Sequence, residues 1–153
     1  MSQIKSMSKW VPYSLLILIC SLRTDAQNIE VNITGIRSDQ GQILLDIYTD
    51  EISFQHEQPF LSKIFDKNEI TDGDMIVRFN LDPGFYGFTL IDDENENGKM
   101  DYQFVAITKE GFAFSNFYLS GFKRPRFDDF KFAVEKGQNQ TVIMKIRYMQ
   151  NSE

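Results

Sequence analysis

The chain has 153 residues, 22 acidic against 16 basic side chains for a net charge of −6, and a single cysteine and histidine. A surface of that sign repels nucleic acid and anionic lipid headgroups and favours cations. One cysteine and one histidine exclude thiol-pair and zinc chemistry, and no Gly-x-Ser-x-Gly elbow or His-Glu-x-x-His pair is present.

The first predicted element is a leader. Lys5 and Lys9 precede an apolar run from Val11 to Cys20, about half the length a membrane-spanning helix needs. Thr24 and Ala26 are the small residues of a signal-peptidase cut ahead of Gln27, so residues 1–26 read as a signal peptide. Ile19 stands where a lipobox wants a small residue, which speaks against lipidation at Cys20. Cleavage removes Lys5, Lys9, Arg23 and Asp25. The 127 residues from 27 to 153 then carry 13 basic and 21 acidic side chains, net −8. That length suits one domain, exported to the periplasm or outside, with no disulfide and no membrane insertion. The chain's 14 Phe and 6 Tyr are expected to supply its core.

Asn28 to Ile36 alternates apolar and polar residues and predicts a half-buried strand. The Ser38-Asp39-Gln40-Gly41 turn cluster leads to a second strand, Gln42 to Tyr48, and the pair reads as an opening hairpin. Asp50 to Ile70 shows no period and predicts a long connection, with a helical turn near Phe60 to Phe65. Met75 to Leu81 alternates again. Asp82-Pro83-Gly84 is a tight turn with glycine where a positive φ is wanted, and Phe85 to Asp92 is the next strand. Shorter strands are predicted over Phe112 to Leu119 and Lys131 to Val134. Thr141 to Met149 closes the chain with Val142, Met144, Ile146 and Tyr148 on one face. About seven strands with frequent turns and no amphipathic helix predict an all-β fold, a single antiparallel β-sandwich.

The sharpest local signal is the acidic stretch between two of these strands. Counted from Asp93, side-chain oxygens fall at positions one, three and five (Asp93, Asn95, Asn97), with Gly98 at six. Lys99 at seven offers its backbone carbonyl, and Asp101 stands at nine. This is the first three-quarters of a calcium loop: a hard cation wants six to eight oxygens, and alternate residues of a curled loop point inward. Position twelve, which would supply a bidentate glutamate, is Phe104, and the flanks are strands, so the loop is no EF-hand. Glu110 or Asp92 would have to complete the shell. Binding would fall in the roughly 10⁻⁴–10⁻³ M class of extracellular modules. The plainer alternative is a solvated turn in which Asn and Asp cap nearby backbone groups.

The other candidates are weaker. His56 reads as a surface residue and Asp128-Asp129 as a turn before a strand. The aromatic segment Gly111 to Phe122 reads as core through Phe112, Phe114 and Phe117, the other reading being a platform that stacks on sugar rings or a partner. Lys123-Arg124-Pro125-Arg126 is a local basic patch that reads as a solvated loop, the alternatives being a pairing with the acidic loop or with an anionic ligand.

An ordered set of motifs covers nearly all of the exported chain. Pro83-Gly84-x-Tyr86 comes first, then Asp93-x-Asn95-x-Asn97-Gly98-Lys99-x-Asp101. Glu110-Gly111-Phe112-Ala113-Phe114-Ser115-Asn116, Pro125-x-Phe127-Asp128-Asp129 and a terminal strand ending on Tyr148 follow. The set resembles the exported bacterial domain-of-unknown-function 2141 family, which commonly has glycine where Ala113 stands. The resemblance implies a secreted or periplasmic immunoglobulin- or prealbumin-like sandwich with no established activity, and it places Glu110 and Ser115 within a motif. The expectation is a non-catalytic, Ca²⁺-stabilised exported domain that binds a surface protein or glycan. Its metal ligands would be Asp93, Asn95, Asn97, Lys99, Asp101 and Glu110. A structural accessory domain of the cell envelope and a carboxylate-based glycan hydrolase are the alternatives.

Overall fold

The computed structural model describes residues 27–100, 102–104 and 107–149; the predicted signal peptide and Asp101 lie outside them. The described part is mostly β: ten strands, two short helices and one 3₁₀ turn. None of its helices is long and apolar enough to cross a membrane. Seven of the strands fall on the predicted segments: β1 (Ile29–Thr34), β2 (Gln42–Tyr48), β4 (Asp74–Phe79), β5 (Gly84–Asp93), β8 (Gly111–Phe114), β9 (Phe132–Val134) and β10 (Gln140–Lys145). The other three are β3 (Leu61–Asp66), β6 (Tyr102–Phe104) and β7 (Ile107–Thr108).

The strands form two principal sheets rather than one, with β6 and β7 as a separate ribbon. The first sheet runs β10-β1-β4. The second runs β3-β2-β5-β8, with β9 also on β5. Alternation explains how the two share a core. Ile29, Val31 and Ile33 of β1 are buried with Met75, Val77 and Phe79 of β4 and with Val142 and Met144 of β10. Ile43, Leu45 and Ile47 of β2, together with Tyr86, Phe88 and Leu90 of β5, belong to the same cluster. Each such side chain contributes roughly 1.5–3 kcal/mol by leaving water, and a one-residue slip of any strand would expose its whole set.

Several expectations are corrected. β1 and β2 do not form a hairpin, because β1 pairs with β4 and, in parallel, with β10. The segment between them is a crossover from one sheet to the other. Its Ile36 N–H donates to the Gly73 carbonyl, and its Ser38 and Gln40 carbonyls accept from Lys67. The first sheet is therefore mixed, while the second is antiparallel throughout.

Phe60 to Phe65 is not helical. It leads into and forms β3, an edge strand antiparallel to β2, and both of its faces are largely solvated. An edge wetted on both sides has no reason to alternate, so the sequence carries no period there. The helix comes earlier, as α1 (Glu51–Gln55), where the Asp50 carboxylate caps the Ser53 N–H at 2.8 Å.

Gly84 does not hold a positive φ. Its reason is space: a Cβ would lie 3.2 Å from the ring of Tyr86, whose hydroxyl donates to the Asp82 carbonyl. Asp128-Asp129 belongs to a second short helix, α2 (Phe127–Phe130), instead of a bare turn.

The helices cover the outer side of the second sheet with an aromatic cluster of Tyr48, Phe54, Phe127 and Phe130, and Phe114 and Phe117 pack against it. Phe54 meets Phe130 edge-on at 4.9 Å, a favourable quadrupole geometry. Gly87 permits this, since a Cβ there would fall 2.5 Å from Phe130 and 2.7 Å from Phe127. The basic patch serves the same cluster rather than the acidic loop. Arg124 lies 4.4 Å over the Phe54 ring and donates to the Phe54 carbonyl, while Arg126 pairs with Asp129. His56 is an exposed residue at the end of α1.

Candidate functional site

Strand β5 ends in two consecutive aspartates that are both wholly buried. Successive strand residues face opposite sides of a sheet, so the two carboxylates meet different surroundings. Asp92 continues the inward row of Phe88 and Leu90 and closes one end of the core. Asp93 faces the other side, directly across from Gln42 on β2.

Asp92 accepts from two groups. Its Oδ1 is ion-paired with the Lys67 ammonium and its Oδ2 accepts a hydrogen bond from the Tyr148 hydroxyl. Lys67 sits on the 3₁₀ turn (Lys67–Glu69) and is only 4% exposed. Its ammonium also donates to the carbonyls of Ser38 (3.2 Å) and Gln40 (2.5 Å). Tyr148 in turn accepts from the Arg37 N–H, and the Arg37 guanidinium lies 4.2 Å over its ring. Burial, and then the bond to Asp92, push the Tyr148 phenol well above its ordinary range.

Arg37 carries the chain of contacts into the acidic loop. Its Nε and Nη2 grip the Glu94 carboxylate at 2.9 and 2.5 Å. That bidentate bond raises the Arg37 pKa and holds Glu94 below the usual glutamate range. A series of partnered charges thus links the crossover, the 3₁₀ turn, the end of β5 and the C-terminal strand segment.

The loop itself is curled by its own side chains. Asp93 Oδ1 accepts from the Asn97 N–H at 3.1 Å, and Oδ2 accepts from the Gly98 N–H and Gln42 Nε2, both at 2.8 Å. Asn95 Oδ1 accepts from the Asn97 N–H, and Asn97 Oδ1 from the Lys99 N–H, each at 3.0 Å. These are nested Asx-turns. The curl also needs two left-handed residues, Glu96 at φ 58° and Gly98 at φ 75°. Gly41 lies beneath it with φ +78°, and a Cβ there would enter the backbone of Asp93 and Glu94.

Of the six expected ligands, Asp93, Asn95 and Asn97 share this curl, Lys99 is exposed on it, and Asp101 falls outside the described residues. Glu110 is 3% exposed and directly precedes Gly111, which pairs with Asp92, so it lies at the β5 end of the loop. Asp92 is committed to Lys67 and Tyr148. Among the described residues no three His, Cys, Asp or Glu side chains converge as a metal-holding group.

The rest of the 110–116 motif is a seam between elements. A Cβ at Gly111 would strike the Tyr148 ring and come within 2.5 Å of Ile146. The Ser115 hydroxyl accepts from the Phe88 N–H at 2.9 Å and donates to the Phe130 carbonyl at 2.7 Å. Asn116 bonds both backbone groups of Ile143. Lys67 escaped the sequence reading because Asp66-Lys67-Asn68-Glu69 looks like any solvated charged run. Only its position after an edge strand turns it inward.

The fold and site define a two-sheet β domain whose buried ionic brace supports an acidic hairpin loop. The chain belongs to the bacterial family DUF2141, an uncharacterised family conserved in bacteria, whose model matches residues 31–143. No curated protein and no solved structure matches it.

Proposed function

We propose that this is an exported, non-catalytic sandwich of immunoglobulin- or prealbumin-like type. Its acidic loop takes a hard cation such as Ca²⁺, and its surface binds a protein or glycan partner. The shared core of the two sheets supports the sandwich. The observation that carries the cation is the preformed curl: Asp93, Asn95 and Asn97 are already drawn around the Asn97, Gly98 and Lys99 N–H groups. These bonds bring Asp93, Asn95 and Asn97 into one turn, and Asp101, Glu110 and the Lys99 carbonyl would add the remaining ligands once a cation displaced the N–H groups.

The non-catalytic reading is supported by what the described carboxylates do. Asp50 caps α1, Glu51 accepts from the Phe127 N–H, Asp92 pairs with Lys67, and Asp128 and Asp129 pair with Lys131 and Arg126. Support for a partner comes from an open groove of about 670 Å³ in which Phe60, Tyr86 and Pro83 lie beside Asn80, Gln138 and Asn139. Aromatic rings among amides are the chemistry that meets a sugar ring or a peptide. Phe60→Ala lowering retention on a glycan array would support that groove, and unchanged retention of a bound glycan would remove it.

The test of the cation is thermal melting in 10 mM Ca²⁺ and in chelator. For a Kd of roughly 10⁻⁴–10⁻³ M, mass action stabilises the domain by about 1.4–2.7 kcal/mol. Asn95→Ala with Asn97→Ala should remove the response while leaving the fold. Identical curves with and without Ca²⁺ would leave the second reading, a structural accessory domain of the envelope. The observation favouring that reading is the Arg37–Glu94 grip, which stiffens the loop without any ion.

A further inference from the structure

The two sides of the molecule are finished differently. Where β10 and β8 come together, the chain is stitched: Asn116 bonds the Ile143 N–H and carbonyl, and Phe112 and Arg147 exchange backbone bonds at 3.0 and 2.8 Å. On the opposite side, β4 pairs only with β1 among the described residues. Beyond the Thr71–Asp74 bridge at its start, no other described strand pairs with its outer edge. Residues 75–78 line one wall of a cleft of about 420 Å³ along that edge, with Phe65, Asp66, Asn68 and Glu69 on the other, so the cleft is the space a second strand would enter. In an antiparallel pair, alternate residues turn both N–H and C=O away from the partner strand, so β4 offers a row of backbone donors and acceptors to another strand.

The side chains on β4 say which strand. Met75, Val77 and Phe79 are buried inward, while Asp74, Ile76 and Arg78 are exposed on the outer face. Antiparallel pairing of two such strands about Ile76 sets Asp74 against the second copy's Arg78, and Arg78 against its Asp74. The two Ile76 side chains meet on the axis. The outward pattern acid–apolar–base is its own complement, as a two-fold interface requires. Arg78 holds Glu30 at 2.8 Å yet remains half exposed, and a guanidinium has donors left for a second carboxylate. The other open edge, β3, lacks this property: the same operation about Ile64 puts Lys63 against Phe65, and a lysine on an edge discourages pairing.

We propose that this domain forms a two-fold dimer by antiparallel pairing of β4 with β4 of a second copy. The result is a six-stranded sheet, β10-β1-β4 continued into β4-β1-β10 of the partner. On its outer face the register row Ile143–Asn32–Ile76 continues into the partner's copy. Ile76, 46% exposed in the monomer, lies at its centre.

The test is analytical ultracentrifugation of the protein purified after full-length expression, across a range of micromolar concentrations. A concentration-dependent doubling of mass is expected. Asp74→Arg places two arginines opposite each other at both ends of the pairing and should weaken the dimer at least about tenfold. Adding Arg78→Asp restores opposite charges and should bring the dimer back. Ile76→Lys, on an exposed position that leaves the core intact, should abolish it. A single monomeric mass at every concentration would overturn the proposal. So would a dimer indifferent to Asp74→Arg and Ile76→Lys, since the contact would then lie elsewhere.

Discussion

Replacing Lys67 by methionine keeps most of the side chain's apolar stem and deletes only the ammonium. In one step the wholly buried Asp92 carboxylate loses its counter-charge and the carbonyls of Ser38 and Gln40 lose a donor. Breaking a buried pair from one side costs roughly 3–5 kcal/mol, because the remaining charge stays desolvated. A domain of this size is stable by about 5–15 kcal/mol in all. At about 3–5 °C per kcal/mol the melting temperature should fall by roughly 10–25 °C.

The double variant Lys67→Met with Asp92→Asn removes the orphaned charge while leaving an acceptor for Tyr148, and should recover a large part of that loss. Thermal and urea unfolding at pH 7 measure both, with the edge variant Lys63→Met as a surface control. If Lys67→Met cost no more than Lys63→Met, or if the double variant lost the sum of the two single effects, the ionic brace would not hold the loop end of the fold.

Gly41 and Gly137 make a matched pair. Both have positive φ (78° and 75°), but a Cβ at Gly137 meets nothing within 4 Å, whereas one at Gly41 enters the backbone of Asp93 and Glu94. Gly137→Ala should cost about 1 kcal/mol and Gly41→Ala clearly more, read as urea midpoints. Equal costs would mean that Gly41 does not seat the loop. Glu94 gives a pH dependence. Its pKa is depressed by Arg37, so its contribution is present above the usual glutamate range, near pH 4, and is lost as pH falls through the lower folded value. The stability gap to Glu94→Gln, at most about 1 kcal/mol for this partly exposed pair, should close between pH 5 and pH 2. A constant gap would refute the pairing. Asp46 shows the opposite sign: burial raises its pKa, so its ionised form is a cost at neutral pH that is absent in acid. Asp46→Asn keeps an acceptor for Ser62 and should leave the melting temperature at pH 7 unchanged or raise it, whereas a marked fall would show the charge is needed.

Where one face of a strand is wet and the other dry, the sequence announces it. β1 alternates strictly, and burial alternates along β1, β4 and β10 alike, although Ile76 and Ile143 place an apolar residue on the wet face of β4 and β10. Pairing partners were less legible, because the Ser38–Gly41 cluster looks the same in a hairpin and in a crossover. What decides between them is Lys67, 26 residues beyond Gly41, whose ammonium collects two carbonyls of that segment. β3 was hidden by its own exposure. In the acidic stretch the alternation of Asp93, Asn95 and Asn97 was readable and does produce a curl. Residue types alone could not separate Asp92, sealed by Lys67 and Tyr148, from Asp93, which organises the loop. That distinction follows from the two faces of β5, and so from the fold.

Isothermal titration of Ca²⁺ into the purified protein tests the cation loop most directly. One saturable site per chain, with a Kd of roughly 10⁻⁴–10⁻³ M and lost in Asn95→Ala with Asn97→Ala, is the predicted result. Heats no larger than dilution for the unaltered protein, or binding that survives both substitutions, would contradict a cation held by the Asp93–Asp101 loop.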